Sequence, residues 1–159
     1  MAKIVKDDMV FLLVWQENAG PGGLFLHGMT YSGHPAAAAA GLANIALMER
    51  DKLPEQVRTT GKIFESTLRG LDDLSIVGEV RGSHFMVGIE FVKDKATKEG
   101  FDPAVGERIF KKCVQRGVIV RPVGNRLVIS PPLIITPEQC DEIVDALKGA
   151  IEEFAAEIA

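Results

Sequence analysis

Apolar residues recur at helical spacing in four stretches of the chain, and strand-like apolar runs lie between the later ones. Pro35 can open the first helix, because proline at the first turn forfeits an N–H that has no partner there. The residues after it, AAAAAGLANIALMER, are strong helix formers, with Leu42, Ile45 and Ala46 as inward candidates and Glu49 on the outer face. Leu53 and Pro54 break the pattern. Residues 55–71 then put Val57, Phe64, Leu68 and Leu71 near one helical face, with Gly61 lowering the local propensity.

Residues 74–80 and 85–92 read as strands, the second being FMVGIEFV, in which Gly88 permits close packing or a bulge. KDKATKEG at residues 93–100 is a solvated connection. A third helix begins at Asp102 and Pro103, turns Val105, Ile109, Phe110 and Cys113 inward, and ends at Gly117. Residues 118–121 and 127–130 are short strands joined through PVGN, whose Gly124 and Asn125 suit a tight turn, and Pro131 and Pro132 stop the second. The last helix has an entrance of Thr136 as cap, Pro137 at the first position and Gln139 completing a capping box. Ile143, Val144, Leu147, Ile151 and Phe154 form its inner face.

The order helix, helix, strand, strand, helix, strand, strand, helix predicts an α+β layer in which consecutive strands pair antiparallel and helices protect one face. A complete doubly wound cofactor domain is excluded by the scarcity of βαβ units, and no GxGxxG or GxxxxGK(S/T) fingerprint occurs. Composition narrows the function classes further. With 47% apolar and 25% charged residues the chain has a globular balance, and its 159 residues are enough for one core. A formal charge of -4 and the lack of a basic patch interleaved with aromatics give no footprint for nucleic acid.

The apolar run at residues 9–15 is too short to span a membrane and has poor signal-peptide flanks, so no membrane partner is expected. It reads as a buried strand or a tail that met another part of a larger fold. AGPGG at residues 19–23 separates it from the segment beyond. Cys113 and Cys140 form no CxxC pair, and each sits on the apolar face of a helix. Ordinary burial in a reducing, cytoplasmic interior is the simpler reading. His27 and His34 lie seven residues apart without a carboxylate or thiolate partner, so no metal site is expected.

Four strings occur in order across about 130 residues: HGMTYSGHP at 27–35, VGEVRG at 77–82, FMVGIEFV at 85–92, and GVIVRPVGNRLVISPPLIITPEQ at 117–139. Together they resemble the carboxy-terminal portion of class III pyridoxal-phosphate-dependent aminotransferases, the omega-transaminase-like group. The resemblance implies a small-domain-like layer of mainly antiparallel strands with helices on one face, preceded by a long helix. Its divisions are an atypical amino-terminal segment at 1–23, a cofactor-loop remnant and linking helix at 24–52, and the carboxy-terminal small domain at 53–159. It also implies transfer of an amino group between an amine or amino acid and a keto acid, with active sites shared between two subunits.

In that family a lysine forms the Schiff base with pyridoxal phosphate and an aspartate pairs with the ring nitrogen, which lets the ring accept electron density from the substrate carbanion. The lysine precedes the HGxTYSGHP segment by a few dozen residues. Here 26 residues precede His27, and neither Lys3 nor Lys6 has the expected surroundings. The expectation is therefore a fragment with no catalytic residue of its own, inactive and without bound cofactor when isolated. As partners it implies a second copy in a homodimer or the missing large domain.

The resemblance places Thr30 on the phosphate of the partner's cofactor, with Tyr31 and Ser32 shaping the same loop; a locally capped turn is the plainer alternative. It makes Arg121 the receptor for a substrate carboxylate, because the guanidinium fork matches two carboxylate oxygens; a strand-end arginine paired with a surface acid is the alternative. Arg81 and Arg126 are expected in surface pairing or domain contacts, and His84 as a surface or packing residue. A non-catalytic self-association or interaction domain derived from an aminotransferase is the competing function.

Overall fold

The computed structural model describes residues 32–158. The chain divides into two compact units, Met1–Asn44 and Ile45–Ala159. The division falls inside the first helix, α1 (Pro35–Arg50), which starts at the proline as its sequence predicts. Its expected inward face is not observed: no residue of α1 is buried, and Leu42 and Ile45 are 69% and 52% exposed. Only Asn44, Glu49 and Arg50 interrupt its apolar surface, so the helix has no polar side to select a single buried stripe.

The second unit follows the predicted order, with different boundaries. The helix expected over 55–71 is present and continuous over residues 53–73, as α2 (Leu53–Gln56), a π-helical turn (Val57–Gly61), α3 (Lys62–Arg69) and a 3-10 turn (Gly70–Asp73) that follow one another directly. Leu53 and Pro54, read as breakers, are instead the first turn of α2, where proline is tolerated. The helix shifts to π spacing where Gly61 presses against His84; a Cβ on Gly61 would lie 2.9 Å from the Cβ of His84. Phe64, Leu68 and Leu71 are buried as expected, and Val57 is half-buried at the edge of the core.

The sheet consists of β1 (Val77–Ser83), β2 (Met86–Asp94), β4 (Arg121–Val123) and β5 (Arg126–Ile129) in the order β1-β2-β5-β4, every pair antiparallel. A two-residue strand, β3 (Glu99–Gly100), pairs with the end of β2 inside the segment read as a solvated connection. β1 begins later than predicted because Leu74 closes a turn by accepting the N–H of Val77. β4 likewise begins at Arg121 because Val118 is still engaged in closing the preceding helix: its N–H donates to the carbonyl of Cys113 beside Gly117, whose φ is 82°. The bulge is not at Gly88, whose added Cβ would meet nothing nearer than 3.9 Å, but between Val77 and Glu79, where a Cβ on Gly78 would lie 2.6 Å from Val92.

Side chains alternate across these strands. Val80, Val87, Ile89, Leu127 and Ile129 point inward and meet α3, α4 (Val105–Gln115) and α5 (Pro137–Ile158) in one core. Val105, Ile109 and Cys113 of α4 are buried, and Phe110 is half-buried. On α5, Val144, Leu147, Ile151 and Phe154 are buried and Ile143 half-buried. The capping box of α5 is present in both directions: Gln139 N–H donates to Thr136 Oγ1 at 3.3 Å, and Thr136 N–H donates to Gln139 Oε1 at 3.1 Å.

Two contacts fix the hairpin β4–β5. Gly106 N–H donates to the Gly124 carbonyl at 3.1 Å, an approach so close that a Cβ on Gly106 would lie 2.3 Å from that oxygen. Asn125 clasps β2 through its side-chain amide to the Phe91 carbonyl at 3.1 Å, while its own carbonyl accepts the Phe91 N–H at 2.9 Å.

Candidate functional site

The hairpin held in this way carries Arg121. The strand register sets rows of side chains across the outer face of the sheet. One row runs Arg81, Gly88, Val128, Arg121, and the next runs Glu79, Glu90, Arg126, Val123. These two rows therefore carry three arginines and two glutamates. Arg81 Nη1 bonds Glu79 at 2.7 Å and Glu90 at 2.8 Å, and Arg126 Nε reaches Glu90 at 3.4 Å. Partial burial pushes the Glu90 carboxyl up, but the hydrogen bond from Arg81 and the charges of Arg126 and Arg81 outweigh it and hold the group below its ordinary value. Glu79 and Glu90 are thus spoken for. Arg121 is left with no ion-pair or hydrogen-bond partner among the described residues.

Its surroundings are apolar. A cavity of about 500 Å³ is bounded by Met86, Ile119, Arg121, Val128, Pro131 and Pro132, with Ile143 of α5 and Ile135 behind them. Ile119 is 83% exposed beside it. The proline pair turns the chain away after β5, and Gln56 of α2 holds that turn by donating to the Ile135 carbonyl at 2.8 Å. An unpaired guanidinium at the edge of an apolar hollow suits an anion attached to an apolar body, because the charge finds a bidentate partner while the walls exclude water.

Of the other residues singled out in the sequence, His27, Thr30 and Tyr31 lie outside the described residues. Ser32 is exposed in a turn with Gly33, whose φ of 76° suits glycine, immediately before α1. Arg81 and Arg126 stand in surface ion pairs. Cys113 and Cys140 are buried free thiols, and burial pushes Cys113 up to about 11 and raises Cys140 as well. Among the described residues no group of three histidine, cysteine or acidic side chains could hold a metal ion, and no helix is long and apolar enough to cross a membrane.

The structure also ties the i,i+4 pair Glu65 and Arg69 to the β1–β2 turn, a link that no sequence spacing marks. Glu65 of α3 accepts the backbone N–H of His84 at 2.8 Å and pairs with Arg69 at 2.9 Å. The hydrogen bond from His84, then that from Arg69, holds the Glu65 carboxyl below its ordinary value. Arg69 in turn donates to the carbonyls of Val80 and Gly82, at 2.8 and 3.2 Å. These bonds fix the β1–β2 turn, in which His84 has a φ of 52°.

The family model described as aminotransferase class-III matches residues 8–151. The chain belongs to this family. It is 38% identical over 157 residues to the putrescine–pyruvate aminotransferase of Pseudomonas aeruginosa, covering 98% of this chain and 33% of that protein. It is 41% identical over 129 residues to the adenosylmethionine-8-amino-7-oxononanoate aminotransferase of Methanocaldococcus jannaschii, covering 80% of this chain and 28% of that one. The aminotransferase of Vibrio fluvialis in its PMP-bound form superposes with a TM-score of 0.78 at 41% identity, over 86% of this chain and 30% of that structure. The class III chain thus spans about a third of the length of the curated relatives it matches.

Class III aminotransferases are pyridoxal-phosphate-dependent. The cavity at Arg121 is lined by neither a lysine nor a carboxylate. Its residues fit a carboxylate on an apolar body. They do not fit the pyridoxal ring, which needs an amine for its aldehyde and an acid for its nitrogen.

Proposed function

We propose that this chain contributes the carboxy-terminal part of a pyridoxal-phosphate-dependent aminotransferase, which moves an amino group between an amine or amino acid and a keto acid. In this reading residues 53–159 are the small domain and residues 24–52 the cofactor loop and linking helix. Thr30, with Tyr31 and Ser32, contacts the phosphate of a cofactor held mainly by other polypeptide. Arg121 binds the substrate carboxylate, and the apolar wall of Met86, Ile119 and Pro131 keeps water from competing for its guanidinium. The setting is the cytoplasm, and the partner is a second copy or a lysine-bearing large domain.

The observation that carries this reading is the unpaired guanidinium of Arg121 at the edge of an apolar cavity, on a face where the other two arginines are neutralised. The test is to mix the chain with separately expressed polypeptide carrying the lysine-bearing part of a class III aminotransferase, add pyridoxal phosphate, and follow amino transfer. Turnover by the mixture and by neither part alone is expected. Thr30→Ala is expected to weaken cofactor retention, read from its absorbance after gel filtration. A stable complex that binds cofactor but never turns over would contradict the catalytic reading.

A second reading, a non-catalytic self-association or interaction domain, is favoured by one observation, the wholly unburied apolar helix α1. Light scattering over a concentration series separates the two. Self-association of the isolated chain that Leu42→Glu abolishes, together with failure of the mixture to turn over, favours this reading.

A further inference from the structure

A second cavity of about 500 Å³ lies on the other side of Met86 and Ser130, between the π-helical turn and the β1–β2 hairpin. We propose that it binds a small monocarboxylate with an apolar body, through Arg58 and the imidazole of His84. Such a site is independent of amino transfer and of Arg121.

Arg58 projects from the π turn and has no ion-pair or hydrogen-bond partner among the described residues. Such turns are rare, and they recur at functional sites because the extra residue in the turn re-aims a side chain. His84 faces the same cavity. Its Nδ1 is taken by Ser83 Oγ at 2.5 Å, which leaves Nε2 without a partner among the described residues and open to a ligand. Ser130 adds a hydroxyl to the lining, and no aspartate or glutamate lines the cavity.

The carboxylate beside His84 is that of Glu65, which does not neutralise Arg58. It accepts the His84 backbone N–H, pairs with Arg69, and lies 3.8 Å from the already occupied Nδ1. Its effect is to hold His84 in the left-handed conformation that turns the ring toward the cavity. A residue held at φ 52° persists only when its surroundings over-determine it, and such strain gathers at ligand sites. The contact of Gly61 with His84, three residues after Arg58, ties the guanidinium and the imidazole to one rigid frame.

The remaining walls, Val57, Phe85, Met86 and Leu133, are apolar. One planar guanidinium, one imidazole nitrogen and one hydroxyl in an apolar hollow match a carboxylate on an aliphatic or aromatic body. A single guanidinium balances one carboxylate charge and leaves a dianionic phosphate under-neutralised.

The test is a titration of the chain with benzoate, and separately with inorganic phosphate, followed through the His84 ring proton and the Arg58 Nε–H by NMR. A saturable shift with benzoate and none with phosphate is expected. Arg58→Gln, which alters an exposed side chain and leaves the core intact, is expected to weaken benzoate binding by about tenfold, the size of one charge-assisted contact. Arg58→Lys should restore it only in part, and Arg121→Gln should leave it unchanged. Absence of a saturable shift, equal binding of phosphate, indifference to Arg58→Gln, or loss of binding in Arg121→Gln would each overturn the proposal. The last result would place benzoate in the neighbouring cavity, as the reading of Arg121 as a carboxylate receptor allows, so it overturns this proposal and not that one.

Discussion

The two longest helices among the described residues carry the same number of apolar residues and use them oppositely. α1 has eleven in sixteen positions, and α5 has eleven in twenty-two. None of those in α1 is buried, whereas seven residues of α5 are. The difference lies in arrangement. α5 segregates its apolar residues onto one face with acids and lysine opposite, so a single sheet can cover it; α1 is apolar around its circumference and no one surface can. Burial in this protein therefore follows patterning more than hydrophobic content.

Substitutions in the two helices sharpen the contrast. Leu147→Ala, at a fully buried position of α5, should cost about 2–5 kcal/mol in urea denaturation, through lost burial and the cavity left behind. A cost below about 1 kcal/mol would mean that α5 does not pack the sheet as described.

The glycines give a reversal of sign. Gly106→Ala forces a Cβ to within 2.3 Å of the Gly124 carbonyl and should destabilise by about 1–3 kcal/mol, with amide shifts concentrated in β4–β5. Gly41→Ala in α1 meets nothing within 4 Å and should raise stability or helicity slightly, since alanine is the better helix former.

Acid gives a smaller effect, confined to the second unit. Lys112 pairs with Glu153 at 2.7 Å and with Glu157, joining α4 to α5, and Arg116 reaches Glu153 at 2.6 Å. The hydrogen bonds from Lys112 and then Arg116 hold the Glu153 carboxyl below its ordinary value. A carboxyl depressed in the fold contributes stability that is fully present above its ordinary titration range and is lost as pH falls through the depressed folded value. Denaturation midpoints should therefore stay level down to about pH 5 and fall below it, and Glu153→Gln should make that fall shallower. The smallest effect belongs to Leu42→Ala in α1, expected within about 0.5 kcal/mol of the unaltered chain because the side chain leaves no cavity.

Features with local causes could be read from the sequence, and those with long-range causes could not. The capping box at Thr136 and Gln139, the inner faces of α4 and α5 and the turn at Gly124 were legible because each depends on residues a few positions apart. The π turn within the helix over residues 53–73 was not, because its Gly61 packs on His84, more than twenty residues away. Nor was the exposure of α1, since helical spacing names an inward face without supplying anything to cover it.

The site divides likewise. Arg121 could be named from the string around it, yet that it stands unpaired emerges only from a register that sets Glu90 between Arg81 and Arg126. Arg58 and His84 carry no local signal at all. Their common cavity is made by the meeting of a π turn with a hairpin turn.

The guanidinium of Arg121 has no partner among the described residues, and on the proposed function that freedom serves to hold a substrate carboxylate. In the reconstituted mixture, KM is measured for an amino acid and for a simple amine of matching size, with the unaltered chain and with Arg121→Gln. The substitution is expected to raise KM for the amino acid by about tenfold to a hundredfold and to leave the amine unaffected. Equal change for both, or change for neither, would contradict that role.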